Sequence, residues 1–147
     1  MSLTRKLTTA LLALACMLPS KTLYDAPVEA SRLSDRDFRC AAFILHYEAR
    51  GESLEARRGV LDVLTNRAKR DKMSICDVAK AKGQFNSYKG SMIVTKEMLD
   101  NFVQVVMMEP ILSDSVYFHD TSTVPWWARK MSREKKVGNF IFYKERK

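Results

Sequence analysis

Apolar residues recur at helical spacing in four stretches that precede Pro110. In the first stretch Phe38, Ala41 and Leu45 lie three or four positions apart, which predicts a helix over residues 35–51. Ser34 stands where an N-cap is needed, and Gly51 where a helix commonly ends. The same spacing predicts helices over residues 54–69, 74–80 and 95–108, with a loop over 84–88. Ser53 and Thr95 are the predicted caps of the first and the last of these three helices.

Beyond Pro110 the period of the pattern changes. Residues 115–119 and 140–143 predict short strands, and the segment between them, with Trp126, Trp127 and many Lys and Arg residues, is interpreted as irregular. The predicted architecture is α+β, mainly helical with a small β element. Gly59 lies inside the second helix, where glycine costs stability, so we expect another helix to pass close to it.

The N-terminus has the pattern of an export signal. Arg5 and Lys6 precede an uncharged run over residues 7–18, and Val28-Glu29-Ala30 places small residues where a signal peptidase cleaves. We therefore predict that residues 1–30 are a signal peptide or membrane-targeting segment, that they contact the membrane transiently, and that the mature chain begins at Ser31 in the periplasm or cell wall. An uncleaved anchor and lipidation at Cys16 are the alternatives.

Charge and cysteine content narrow the class of partner. The net charge of +8 favours polyanions such as nucleic acid, anionic lipid or the bacterial wall. Export disfavours nucleic acid, which we do not expect as a partner. Cys40 and Cys76 could form one disulfide in an oxidising compartment, or remain two buried thiols.

Glu48 occupies the position where the apolar stripe of the first helix would continue. A carboxyl group withdrawn from water favours its protonated form, which general-acid cleavage of a glycosidic bond requires. The alternative is a glutamate at a helix end that simply reaches solvent.

An ordered series of short motifs resembles the SleB/CwlJ-type cell wall hydrolases, the family of spore-cortex-lytic enzymes and their bacterial and phage relatives. The motifs extend over residues 38–143. They are Glu48-Ala49-Arg50-Gly51-Glu52, Gly59-Val60, Asn66-Arg67, Ile75-Cys76, Gln84-Phe85, Tyr117-Phe118-His119, Pro125-Trp126-Trp127-Ala128, and Val137-Gly138 to Phe142-Tyr143.

The resemblance implies that residues 31–147 are a lysozyme-like catalytic domain acting on the glycan strands of peptidoglycan. It implies that Glu48 is the catalytic acid, and, as in some members, a lytic transglycosylase that needs no second carboxylate. A hydrolase would need one, and Glu52 is the nearest candidate, although pairing with Arg50 or Arg57 is the expected role. The chain departs from the family in having Phe140 where histidine is usual. Ser113-Asp114-Ser115 stands in the region of a common Gly-Ala pair.

Candidate substrate-binding residues are Gln84, Phe85, Trp126, Trp127 and Tyr143. Gln84 could hydrogen-bond a sugar, and Phe85 and the tryptophans could stack on one, with one tryptophan exposed and the other packed. Tyr143 is predicted to hydrogen-bond Glu48 or substrate. Asn66 and Arg67 are expected to hold the helix pair together, and His119 is expected to be structural.

Other chemistries fit the sequence less well. A zinc amidase needs about three protein ligands, and the chain has only His46 and His119, in no ligand motif. A cysteine peptidase would have to pair Cys40 or Cys76 with His119. A non-catalytic basic module would use Arg129, Lys130, Arg133, Lys135 and Lys136. We expect no metal or other cofactor, and a monomer whose partner is the glycan strand.

Overall fold

Helices come first and a small sheet follows, in the α+β order predicted. The computed structural model describes residues 33–81, 85 and 92–147. The predicted signal segment and Gln84 lie outside the described residues. The elements are α1 Asp35–Glu48, α2 Leu54–Asp71, α3 Ile75–Lys80, α4 Lys96–Val106, β1 Tyr117–Asp120, β2 Ser132–Val137 and β3 Phe140–Lys144, with a 3₁₀ helix over Trp126–Lys130.

Each helix begins at a hydroxyl side chain that caps its first turn. The oxygens of Ser34, Ser53, Ser74 and Thr95 accept the backbone N–H groups of Asp37, Ala56, Asp77 and Met98. These bonds satisfy donors that a helix N-terminus otherwise leaves without partners. The capping predicted at Ser34, Ser53 and Thr95 is confirmed, so the helix starts are a local property of the sequence.

The sheet packs one face against α2. Its strand order is β1-β3-β2, with both pairs antiparallel. Phe142 on β3 is fully buried, and a Cβ added to Gly59 would lie 2.5 Å from its Cζ atom. The close approach expected at Gly59 is therefore present, but the neighbour is a strand and not another helix.

Strand β2 corrects the interpretation of the basic segment as irregular. Among the described strands it pairs only with β3, and the register shifts between Arg133 and Lys135. An edge strand commonly carries charged residues and bulges, which discourage pairing with another chain. A charged edge strand with a bulge lacks the regular alternation of polar and apolar residues, so the sequence pattern of residues 132–137 did not predict a strand.

A buried ion pair ties the segment after α4 to α2. Arg58 and Asp62 are almost completely buried, and the Arg58 Nε donates to Asp62 Oδ1 at 2.8 Å. The other oxygen, Oδ2, accepts the N–H groups of Ile111 and Leu112 at 2.8 and 3.0 Å. Burial raises the pKa of Asp62, while Arg58 and the two N–H groups act in the opposite direction. The carboxylate thereby fixes where the chain crosses α2 before it enters the sheet.

A disulfide joins α1 to α3. Cys40 and Cys76 are bonded, with Cα atoms 5.3 Å apart, inside the range typical of disulfides. Of the two states that the sequence left open, the structure contains the bonded one. The bond closes a loop across 36 residues, and a loop of that length is expected to stabilise the fold by about 2–4 kcal/mol.

Replacing Gly59 with alanine tests the contact between α2 and the sheet. We expect Gly59→Ala to lower the free energy of unfolding by about 1–3 kcal/mol, because the added methyl group overpacks the Phe142 ring. The measurement is urea unfolding of wild type, Gly59→Ala, Phe142→Leu and the double variant. The alanine should cost less when Phe142 is leucine. An equal cost in both backgrounds would contradict the contact.

Candidate active site

Glu48 is the last residue of α1, and its side chain is half-buried. The next residue, Ala49, is buried and donates its N–H to the Leu45 carbonyl at 3.0 Å. Gly51 then adopts a φ of +85°, a backbone conformation that residues other than glycine rarely adopt. The sequence thus places Glu48 on a rigid helix, directly before a tight turn into α2.

Glu52 is held by the turn between β2 and β3. Its Oε1 accepts the side-chain amide of Asn139 at 3.1 Å. A Cβ added at Gly138, where φ is +53°, would lie 3.3 Å from Glu52 Oε2. The structural role expected for Glu52 is therefore present, but its partner is the β2–β3 turn and not Arg50 or Arg57. This contact places the turn beside the end of α1.

Four rings form an aromatic cluster on the face of the sheet that points away from α2. They are Tyr117 and His119 of β1, Trp127 of the 3₁₀ helix, and Tyr143 of β3. Trp127 lies 5.3 to 5.7 Å from the other three ring centroids. Offset and edge-to-face rings at these separations attract one another, so the cluster is a preformed aromatic wall.

Tyr143 bonds within this wall. Its hydroxyl lies 3.0 Å from Nε2 of His119, whose Nδ1 lies 2.6 Å from the carbonyl oxygen of Asp120. A carbonyl only accepts, so Nδ1 carries a proton, and in the neutral ring Nε2 accepts the Tyr143 hydroxyl. The partner of Tyr143 is therefore His119, where we predicted Glu48 or substrate. His119 has the structural contacts expected of it.

Phe85 is a packing residue in this structure. Its side chain is only 6% exposed, and the Arg67 guanidinium lies 5.3 Å from its ring centroid. The structure thus places Phe85 in packing, with little of its ring exposed, and its stacking on a sugar stays a prediction. Arg67 also lies over Tyr117 at 5.4 Å and donates from Nε to the Val116 carbonyl at 2.5 Å.

The two neighbours Asn66 and Arg67 fix the start of β1. The Asn66 side-chain amide donates to the Ser115 carbonyl at 3.0 Å, adjacent to the bond from Arg67 to Val116. Burial lowers the pKa of Arg67 to about 10. The pair was expected to join two helices; it joins α2 to a strand. Through Tyr117 it also orients the aromatic cluster.

Trp126 is the exposed tryptophan of the pair. It is 75% exposed, and Lys130 Nζ lies 5.0 Å from its ring centroid. Trp127 is half-buried in the cluster, so the expected division into one exposed and one packed ring is present. On β2, Arg133 pairs with Tyr143 and Lys136 with Ile141. Paired residues share a face of the sheet, so exposed cations flank the aromatic cluster.

Glu134, the acid among these cations, binds the segment that departs from the family pattern. Its carboxylate accepts from the backbone N–H and the hydroxyl of Ser113, at 2.7 and 2.8 Å, and from the Ser115 hydroxyl at 2.6 Å. Partial burial raises the pKa of Glu134, but hydrogen bonds from Ser115 and Ser113 bring it down to about 2. The other departure, Phe140, is buried and packs edge-on against Phe118 at 5.3 Å.

The geometry bears on the competing chemistries. Cys40 and Cys76 share a disulfide, so in this state neither offers a thiolate nucleophile. Within residues 33–81, 85 and 92–147, no three His, Cys, Asp or Glu residues gather as a metal site would require. No helix in that part of the chain is long and apolar enough to cross a membrane.

Two contributors to the wall were missed by the sequence analysis. Tyr117 and His119 alternate with buried Phe118 along β1, and this period of two was the available signal for a shared outer face. The joint contact of Arg67 with Phe85 and Tyr117 had no sequence signal, because it depends on tertiary packing.

Known proteins provide an independent comparison. The family model described as Cell Wall Hydrolase matches residues 51–143, more than half of the chain. The matched range begins three residues after Glu48, so the match does not include that residue. Among curated protein sequences, none matches this chain significantly.

Two solved structures share the fold. The catalytic domain of the Bacillus cereus SleB protein superposes with a TM-score of 0.64 at 19% identity, covering 76% of this chain and 92% of that one. The catalytic domain of the germination-specific lytic transglycosylase SleB from Bacillus anthracis gives a TM-score of 0.56 at 20% identity, covering 77% and 98%. At such identities the likeness establishes the α+β fold.

Reversing the exposed cations beside the aromatic cluster tests their role. We expect Lys130→Glu, Arg133→Glu and Lys136→Glu together to weaken binding to isolated bacterial walls and to flatten its salt dependence. The reason is that exposed charges act over about 8 Å at physiological ionic strength and about 3 Å at 1 M. A pull-down of walls at increasing salt measures this. The matched control reverses Arg39, Lys69 and Lys72, exposed cations on α1, α2 and the residue after it. Equal binding by both triple variants at low salt would reduce the cluster to a solvated face.

Proposed function

The chain belongs to the cell wall hydrolase family, and we propose that it cleaves the muramic acid–glucosamine bond of peptidoglycan glycan strands as a lytic transglycosylase. The observation that carries the proposal is the family match over residues 51–143, with the helix-borne carboxylate of Glu48 three residues before it. The fold shared with two SleB catalytic domains supports it, one of them from a protein described as a lytic transglycosylase.

In the proposed reaction a single carboxyl group acts twice. Protonated Glu48 donates its proton to the glycosidic oxygen as the bond from that oxygen to C1 of muramic acid breaks. The Glu48 carboxylate then removes the proton from the C6 hydroxyl of the same muramic acid, whose oxygen attacks C1 and closes a 1,6-anhydro ring. Water is not consumed, and the carboxyl group returns to its protonated form.

The contacts of Glu52 favour this reaction over hydrolysis. A hydrolase places a second carboxylate across the sugar from the acid. Glu52 is the nearest candidate in sequence, yet its carboxylate accepts the Asn139 amide at 3.1 Å and lies against Gly138. These contacts support a structural role for Glu52 at the β2–β3 turn.

The aromatic cluster is suited to binding sugar rings of the glycan strand. Pyranose faces present C–H groups that pack on aromatic rings, and Trp126 and Trp127 lie next to exposed cations. We assign the sugar units to Trp126 and to the half-buried ring of Trp127. Tyr143 is buried and supports Trp127 edge-on at 5.6 Å between ring centroids. The carboxylates of the surrounding cell wall would then contact Lys130 and Arg133.

Glu48→Gln tests the assignment of the acid. The amide cannot donate a proton as an acid does, so lysis of purified walls should fall to background while circular dichroism stays that of wild type. Activity within a few-fold of wild type would refute the assignment.

Lysis by the wild type should persist in EDTA, because the proposed step uses no metal. Loss of activity on chelation and its recovery with zinc would point to an amidase.

Mass spectrometry of wild-type products should find anhydro-muramic ends, whereas reducing ends would indicate hydrolysis.

Export is a separate part of the proposal, since the substrate lies outside the cytoplasm. We propose that residues 1–30 direct the chain across the inner membrane, where the Cys40–Cys76 bond is chemically favoured. A reporter enzyme active only outside the cytoplasm, fused after Ser31, should be active. A fusion that lacks residues 2–30 is the control, and equal reporter activity in both would count against export.

A further inference from the structure

A cavity of about 250 Å³ lies between α1 and α4, beside the turn that follows Glu48. Apolar residues of the two helices form its floor, Phe102 among them. The polar residues that line it are His46, Arg50, Arg57, Glu97 and Asn101. None of these residues is used by the chemistry proposed above, so the cavity is free for another role.

The charge of the lining favours a carboxylate. Two arginines face one glutamate, and an arginine guanidinium matches a carboxylate with two parallel hydrogen bonds. The Nε of Arg57 is buried, and among the described residues it has no hydrogen-bond acceptor. A buried donor without an acceptor costs free energy, which a ligand oxygen would recover.

Glu97 narrows the choice of anion. A carboxylate on the rim repels a doubly charged phosphate, but it can receive an ammonium group. Together with the apolar floor, this pattern suits a short peptide that has small apolar side chains and carries both a carboxylate and an amine. A cavity of about 250 Å³ holds only a few residues of such a peptide.

The location of the cavity identifies the source of that peptide. Arg50 and Gly51 line it, and they follow Glu48 by two and three residues. In peptidoglycan the stem peptide is attached to muramic acid, the sugar whose bond Glu48 would cleave. Because Arg50 is only two residues along the chain, the peptide of a muramic acid held at Glu48 is long enough to reach the cavity.

We propose that this cavity binds the stem peptide of the substrate, with Arg57 and Arg50 on a peptide carboxylate. The inference rests on the proposed function for the identity of the peptide. It makes the protein selective for glycan that still carries peptides over glycan stripped of them.

Calorimetric titration of the full chain with a soluble muramyl peptide tests the inference without any turnover. The wild type should bind the free acid about tenfold or more tightly than the amide-capped form, as expected for a charge-assisted hydrogen bond. Arg57→Gln removes the charge and the guanidinium but keeps a polar side chain that can hydrogen-bond, and it should abolish this preference. Arg39→Gln, at an exposed position of α1 outside the cavity, is the matched control and should retain it.

A second variant guards against a loss of binding that comes only from misfolding of Arg57→Gln. Asn101→Phe should fill the cavity from α4 while leaving both arginines in place, and it should abolish binding of the muramyl peptide. Equal binding of acid and amide by the wild type, or acid binding that survives both Arg57→Gln and Asn101→Phe, would overturn the inference. The readout is independent of Glu48: peptide binding without glycan cleavage would refute the proposed reaction alone, and cleavage without peptide binding would refute the cavity's role alone.

Discussion

The contact between Gly59 and the Phe142 ring sets the distance between the helices and the sheet. Because glycine has no Cβ, the ring packs directly on the backbone of α2, and any larger residue would hold β3 away from the helix. Phe142 is fully buried, whereas Tyr143, next along the strand, contributes to the opposite face. Side chains alternate across a strand, so the contact that buries Phe142 also directs Tyr143 into the outer aromatic cluster.

Polar bonds from α2 then fix the chain on either side of that contact. Asp62 binds the N–H groups of Ile111 and Leu112, and Asn66 and Arg67 bind the carbonyls of Ser115 and Val116. One helix thus orders the chain from the exit of α4 to the start of β1. A buried carboxylate is costly, as the raised pKa of Asp62 reflects, and its bonds to Arg58 and two backbone donors offset that cost.

Sequence patterns predicted the features that depend on local physics. Helix starts at Ser34, Ser53 and Thr95 follow from hydroxyl capping, and the close approach at Gly59 follows from the cost of glycine in a helix. The features that these patterns did not predict depend on tertiary neighbours. Strand β2 is a strand because β3 pairs with it, and Phe85 is buried because Arg67 covers it. At the candidate site, the separation of Trp126 from Trp127 followed from their sequence, whereas the bond between Tyr143 and His119 did not.

The placement of Glu48 shows how the fold limits the motion of a proposed catalytic acid. Cys40 precedes it by eight residues of α1, which is about 12 Å of helix. At Cys40 the helix is bonded to α3, and just beyond Glu48 the chain is held by the contact of Glu52 with the β2–β3 turn. A helical segment held at Cys40 and again just beyond Glu48 can neither tilt nor slide freely, and proton transfer depends on placement within a fraction of an ångström. Under the proposed function, the disulfide and the Glu52–Asn139 bond are therefore features that position Glu48.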